Sequence, residues 1–188
     1  LYALLGQINQ AIVRTHDEQE LLKKICDVAV EYGGFKFAWI GKYNQLVDTI
    51  TPIHWAGDSE DYIDAIIDVI NDPSVNYSST RNAMQDGVAF FSNDISNDET
   101  MYEWRKNALK KGYLSISVIP LRIKNRVYGN LNLYATESHF FNDEEKKLIF
   151  EIADDINHAL NAIDAEFTRK LAEEALLESE NRYNTFIN

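Results

Sequence analysis

Apolar residues recur at spacings of three and four from the start of the chain: Leu4, Leu5, Ile8, Ala11 and Ile12. That period predicts an amphipathic helix over Leu1 to Thr15. Thr15 or Asp17 can cap a second helix, and Glu18 and Glu20 suit its positive N-terminal dipole. Leu21, Leu22, Ile25, Cys26, Val28 and Ala29 give this helix its apolar stripe, and Gly33-Gly34 ends it. Two strands follow, Phe35 to Tyr43 and about Val47 to Ala56, joined by a short turn at Asn44-Gln45-Leu46. Helical spacing returns at Tyr62, Ile63, Ile66, Ile67 and Ile70, closed by Asn71-Asp72-Pro73. The polar stretch from Asn76 to Asp86 holds a short helix around Ala83 and Met84, and Val88 to Phe91 reads as a short strand. Asp98 to Lys111 reads as one helix closed by Gly112.

The strands Leu114 to Arg122 and Arg126 to Ala135 are joined by a polar turn at Lys124-Asn125. In the second of them Val127, Gly129, Leu131 and Leu133 alternate with Tyr128, Asn130, Asn132 and Tyr134. A period of two predicts one apolar face and one face of polar-tipped side chains. Consecutive strands with tight turns imply an antiparallel sheet. Helices grouped at both chain ends imply one face covered by a terminal helical layer, with the middle helices and loops on the other. The fold class is therefore α+β, and a hollow is expected between the sheet and the loops.

From Asn142 the character changes. Asn142 with Glu145 outlines a capping box, and Ile149, Ile152, Ile156, Ala159, Ile163, Phe167, Leu171 and Ala175 continue without Pro or Gly. Such a helix to Ser179 spans on the order of 55 Å at about 1.5 Å per residue. A domain of this size cannot cover it, so a coiled-coil partner is expected, most simply from a second copy. Leu1 stands where an initiator methionine would be, inside a helical pattern, and a piece of a longer protein is expected.

Composition narrows the function classes. Eighteen Lys and Arg against thirty Asp and Glu give a net charge of −12 in 188 residues, which repels phosphate backbones and anionic lipid. No nucleic-acid partner and no membrane contact by this segment are expected. A single cysteine, Cys26, excludes an internal disulfide and a multi-cysteine zinc site. No apolar run approaches the roughly 18 residues that a membrane span needs.

The stretches Ala11-Ile12-Val13-Arg14, Ile25-Cys26 through Ala29-Val30-Glu31, and Gly34-Phe35-Lys36-Phe37-Ala38-Trp39-Ile40-Gly41 resemble the opening of a GAF domain. The similar sequences are those of bacterial and archaeal histidine kinases and diguanylate cyclases. Asn93-Asp94-Ile95 with Asp98, Trp104-Arg105, Ala108 through Lys111-Gly112-Tyr113, Ile119-Pro120-Leu121, and Val127 through Tyr134 extend the likeness. It covers residues 1–165. Glu178 through Asn184 with Phe186-Ile187-Asn188 resembles the first helix of a PAS domain, so residues 166–188 are expected to be a linker helix leading into one. Where related sequences carry a Gly-Pro-Thr-Gly-Thr-like segment, this chain has Ser78-Ser79-Thr80-Arg81-Asn82. Without those glycines a loop is less able to bring backbone amides close to a ligand.

The eight glycines form no phosphate loop, and no Gly-x-Ser-x-Gly elbow is present. Cys26 sits on an apolar stripe, as an inert small hydrophobe does. This argues against the sulfoxide-reducing branch of the GAF family, which works through several cysteines. His158 precedes Ala159-Leu160-Asn161, unlike a kinase phosphoacceptor, and reads as an exposed helical His beside Asp154. Asp94, Ser96 and Asp98 begin like a calcium loop, but Glu99 and Arg105 stand where Gly and a bidentate Glu are required. His16, His54, His139 and His158 show no metal-ligand spacing. His54, at the end of the second strand, would pair with Trp39 and line the pocket, or hold a haem iron, for which no second signal exists. Aromatics make up 12% of the chain; with Ser115, Ser117, Asn130 and Asn132 on adjacent strands they suit either a cavity with hydrogen-bonding groups or an ordinary sheet with one wet face.

The resemblance implies a non-catalytic, cytoplasmic sensory module of a multidomain signal-transduction protein. It would bind a small ligand of unknown identity, dimerise through its terminal helices and relay its state to a downstream PAS domain and an output histidine kinase or diguanylate cyclase. The candidate contacts are Trp39, His54, Tyr62, Thr80 and Arg81, with Asp94 and Trp104 as loop anchors. The alternative is a ligand-free structural module that only dimerises and spaces its neighbours.

Overall fold

A computed structural model describes residues 1–57, 60–75 and 78–187. Asn76 of the polar stretch and Asn188 of the PAS-like tail lie outside the described residues. The chain runs α1 Tyr2–Arg14, α2 Glu18–Gly33, β1 Phe37–Asn44, β2 Thr49–Gly57, α3 Glu60–Asn71, α4 Ser79–Asp86, β3 Phe90–Ser92, a 3₁₀ turn Glu99–Met101, α5 Tyr102–Lys110, β4 Ser115–Ile123, β5 Arg126–Ala135 and α6 Asp143–Ile187. The strands form one five-stranded antiparallel sheet in the order β2-β1-β5-β4-β3, the α+β class expected from the pattern.

Local chemistry accounts for most element ends. The Asp17 side chain accepts from the Glu20 amide, and Gly34 closes α2 in the left-handed region (φ 75°). The β4–β5 turn places Lys124 and Asn125 both at positive φ, the geometry that matches the twist of a two-residue hairpin. At the start of α6 the Asn142 carboxamide accepts from the amides of Glu144 and Glu145. The reciprocal half of the capping box is not made: the Asn142 amide donates to the Phe140 carbonyl instead.

Two expectations change in detail. The Asp98 to Lys111 helix is two pieces, because the Asp98 carboxylate takes both the amide and the hydroxyl of Thr100 and tightens the first turn into 3₁₀. Strict alternation in β5 breaks at Tyr128, an extra residue between the pairs Leu121–Gly129 and Arg122–Val127. This β-bulge turns Val127 toward the loop side and Tyr128 toward the helical side.

The sheet has buried side chains on both faces. On the helical face Ala38, Ile40, Ile119, Leu121, Leu131 and Leu133 pack with Leu4 and Ile8 of α1, Leu21, Leu22 and Ile25 of α2, and Ile149, Ile152 and Ile156 of α6. Each fully buried aliphatic side chain contributes about 1.5–3 kcal/mol. On the loop face Phe37, Trp39, Ile116, Val118 and Tyr134 meet Tyr62, Ile66 and Ile70 of α3, Ala83 and Met84 of α4, and Trp104 and Ala108 of α5. β5 lies so close to β1 that a Cβ on Gly129 would fall 2.0 Å from the Gly41 carbonyl oxygen. α6 is a single helix of 45 residues.

Candidate functional site

The centre of the loop face is built by β1, β5 and β4. Across β1 and β5, Phe37 stands opposite Tyr134, Trp39 opposite Asn132 and Gly41 opposite Asn130. On the other flank, Val118 stands opposite Asn132 and Pro120 opposite Asn130. Asn130 and Asn132 are both fully buried, and neither the oxygen nor the nitrogen of either carboxamide has a hydrogen-bond partner. Their register neighbours explain why. Glycine, proline and valine carry no side-chain polar atom, and the Trp39 indole N–H, a donor that could serve only a carboxamide oxygen, makes no hydrogen bond to Asn132. Leaving buried amides unpaired costs about 1–3 kcal/mol per group.

Aromatic rings wall this region. Tyr62 meets Phe37, Tyr113 and Tyr134 at centroid distances of 5.9, 5.2 and 5.5 Å, and Tyr113 lies 4.9 Å from Tyr134, the edge-on and tilted contacts that ring quadrupoles favour. Burial raises the Tyr62 phenol well above its ordinary pKa and pushes Tyr134 up to about 12. Side chains fill the expected hollow. Clefts instead open elsewhere: one between α1 and α2 beside Gln7, Arg14 and Glu20, and one where Lys42, Lys124, Arg126 and Tyr128 face Glu18 and Asp164.

The seven residues singled out from the sequence do not converge. Trp39, Tyr62 and Trp104 share the loop-face cluster, and Thr80 is buried in the first turn of α4. His54 is on the opposite face. Trp39 pairs with Trp55, not His54, and His54 pairs with Ile40. The period of two therefore sends the imidazole toward the helices, where Nε2 lies 3.0 Å from Gln19 Oε1 of α2. Burial lowers its pKa. The Arg81 guanidinium donates to the carbonyls of Ile70, Asp72 and Val75, tying the end of α3 to the start of α4. Asp94 takes the side chains of Ser96 and Asn97 within its own loop, and those bonds hold its carboxyl below the usual range. Ser115 and Ser117 stand opposite Ala135 and Leu133, also on the helical face. The Asn pair was visible in the alternation of β5, but only the register with Gly41 and Pro120 reveals that it is unpartnered.

A second arrangement joins the cover of this region to α6. The Arg122 guanidinium donates to the carbonyl of Gly87, the left-handed cap of α4 (2.8 Å), and to that of Asn125 (3.2 Å). The Arg122 amide donates to Asn157 Oδ1 of α6 (2.8 Å), the Lys124 amide to Asn161 Oδ1 (2.7 Å), and Lys124 Nζ pairs with Asp164 (2.7 Å). Positions 157, 161 and 164 follow one helix face.

The family described as GAF domain matches residues 15–161. This chain belongs to the GAF domain family. It is 24% identical over 177 residues to the bacterioopsin transcriptional activator of Halobacterium salinarum, covering 93% of this chain and 24% of that protein; the chain thus spans about a quarter of that relative's length. Among solved structures, the free methionine-R-sulfoxide reductase of Neisseria meningitidis in complex with its substrate is similar, with a TM-score of 0.67, 15% identity and coverage of 87% of this chain and 89% of that one. So is a domain assigned to a two-component sensor histidine kinase of Sinorhizobium meliloti, with a TM-score of 0.64, 18% identity and coverage of 83% and 99%. At these identities the likeness is one of fold. In this GAF domain the one thiol, Cys26, is fully buried between α2 and β2, where it donates to the His54 carbonyl (3.6 Å) and burial raises its pKa.

Proposed function

We propose that this GAF domain is a non-catalytic sensory module. It binds a small ligand between β5 and the helices α3–α5 and transmits the bound state through α6 to a PAS domain and an output domain further along a cytoplasmic signalling protein. The observation that carries this reading is the pair of sealed, unpartnered carboxamides at Asn130 and Asn132. Buried polar groups are normally satisfied, and a ligand supplies the missing partners. The Gly87–Arg122–Asn157 hydrogen bonds support transmission, since they join α4, which covers the site, to α6. Beyond Ile163, α6 exposes Phe167, Leu171, Leu176, Leu177 and Tyr183, and this supports dimerisation through the terminal helices. Cys26, capped by a carbonyl on the helical face, supports the absence of thiol chemistry at the loop face. Among the described residues no helix is long and apolar enough to cross a membrane.

The test is thermal unfolding of the purified chain with a panel of metabolites, haem and cyclic nucleotides. A ligand that binds the folded state raises the melting temperature by mass action, whereas a panel that moves nothing returns the domain to the second reading, a ligand-free dimerising spacer. The filled loop-face interior favours that second reading.

A further inference from the structure

We infer that the ligand of the loop-face site is an uncharged, planar molecule with an amide-type edge, of the lactam or nucleobase kind, read by Asn130 and Asn132. This rests on the sensory reading above and specifies its chemistry.

The first ground is complementarity. A carboxamide presents a donor and an acceptor side by side, and the partner that satisfies both at once carries C=O and N–H on one edge. Asn130 and Asn132 lie two residues apart on one face of β5, so both can address a single small molecule. Of their cross-strand neighbours Gly41, Pro120, Val118 and Trp39, only Trp39 carries a side-chain polar group, a lone N–H donor that leaves the carboxamide N–H groups without an acceptor.

The second ground is charge. Among the described residues, the buried polar side chains are Ser, Thr and Asn, and no Lys, Arg, Asp, Glu or His is among them. Three cations on the loop-face cover are turned to other work: Arg81 holds three carbonyls, Arg105 holds the carbonyls of Ile95 and Asp98, and Lys111 pairs with Asp61; Lys106 and Lys110 are exposed on α5. An anionic ligand would enter without a counter-charge, which a low-dielectric interior resists strongly.

The third ground is shape. The Trp39 ring stands beside Asn132, with Tyr134 and Tyr62 along the same wall, surfaces that suit the face of a flat heterocycle. Met84 and Met101 contribute to the cover, and unbranched thioether chains repack at low cost to admit an occupant. Gly41 lets the Asn130 carboxamide and the Trp39 ring pack against the strand itself: a Cβ there would fall 2.6 Å from Asn130 Oδ1, 2.6 Å from Ile50 and 2.8 Å from the Trp39 ring.

The experiment uses the full chain in thermal unfolding and calorimetry. One series of probes is uncharged (adenine, uracil, nicotinamide and a set of lactams); the other is charged (AMP, cyclic AMP, glutamate). The expected result is a rise of several degrees with at least one uncharged probe, none with AMP or cyclic AMP, and at least a tenfold loss of affinity in Asn132→Leu. Asn132→Thr, which keeps a small polar group on the strand, guards against a folding failure and is expected to show the same loss. If charged probes bind and Asn132→Thr weakens them, the site stands and the inference of a neutral ligand is overturned. If no uncharged probe binds while the wider metabolite and haem panel raises the melting temperature, the inference is overturned and the sensory reading stands; if neither does, both are overturned. Binding that both variants leave unchanged places the ligand elsewhere and overturns the inference.

Discussion

Leu131 and Asn132 are neighbours in β5 and equally sealed from solvent, yet they belong to interiors of different kinds. Leu131 enters an aliphatic layer locked between three helices from the two ends of the chain. Asn132 enters an aromatic layer roofed by shorter helices, where polar atoms lie without partners. The first face gains stability from close packing and asks for nothing further. The second face stores unmade hydrogen bonds. A single strand, by alternating its side chains, separates what holds the domain together from what is available to respond.

The sharpest way to break this contrast is to cut into the helical face. Leu131→Ala is expected to cost about 2–5 kcal/mol, measured by urea unfolding, and a loss under about 1 kcal/mol would contradict close packing there. Asn132→Leu is expected to do the reverse on the loop face, adding about 1–3 kcal/mol to the ligand-free domain by removing an unpaired amide. At about 2–4 °C per kcal/mol for a chain of this size, calorimetry resolves it, and a lower melting temperature would show that the amide is satisfied by buried water. Between the faces, Arg122→Ala frees the Gly87 and Asn125 carbonyls. It is expected to cost about 1 kcal/mol and to speed amide exchange in the last turn of α4. Asn157→Ala should speed exchange at the Arg122 amide, and unchanged exchange in both variants would disconnect α4 from α6.

The smallest effect concerns pH. Burial lowers the pKa of His54 below its ordinary value near 6.5, so the folded state favours the neutral ring. The stability this gives is complete above about pH 6.5 and falls as pH drops through the folded pKa, because the unfolded chain takes up the proton first. His54→Gln is expected to flatten that part of the stability–pH curve; an unaltered curve would show that His54 does not contribute to it.

The elements were legible in the sequence because their signals are local: apolar spacing, the Asp17 and Asn142 caps, and glycine after α2. The site was less so. His54, at the end of the second strand, was placed beside Trp39 on the neighbouring strand, but one residue of register decides which face a side chain meets, and the β2 partner of Trp39 is Trp55. Arg81 read as a ligand contact, whereas three carbonyls at the end of α3 claim it. Ser115 and Ser117 share their strand with loop-face residues and point away from them. In each case the deciding fact is a long-range pairing, which no local pattern encodes. Asn130 and Asn132 show the converse. Their alternation was visible, but their lack of partners depends on a glycine and a proline from other strands.

The 45-residue α6 is anchored at its near end by Ile149, Ile152, Ile156 and Leu160 and by the Asn157 and Asn161 bonds to the β4–β5 turn. Its remaining length from position 161 to 187 measures about 40 Å at 1.5 Å per residue. Treated as a stiff rod, a five-degree tilt at the anchor sweeps its tip through about 3.5 Å over that length. A small tilt at the anchor thus becomes, at the far end of α6, a displacement the size of an atom, which is mechanical gain achieved without any moving joint.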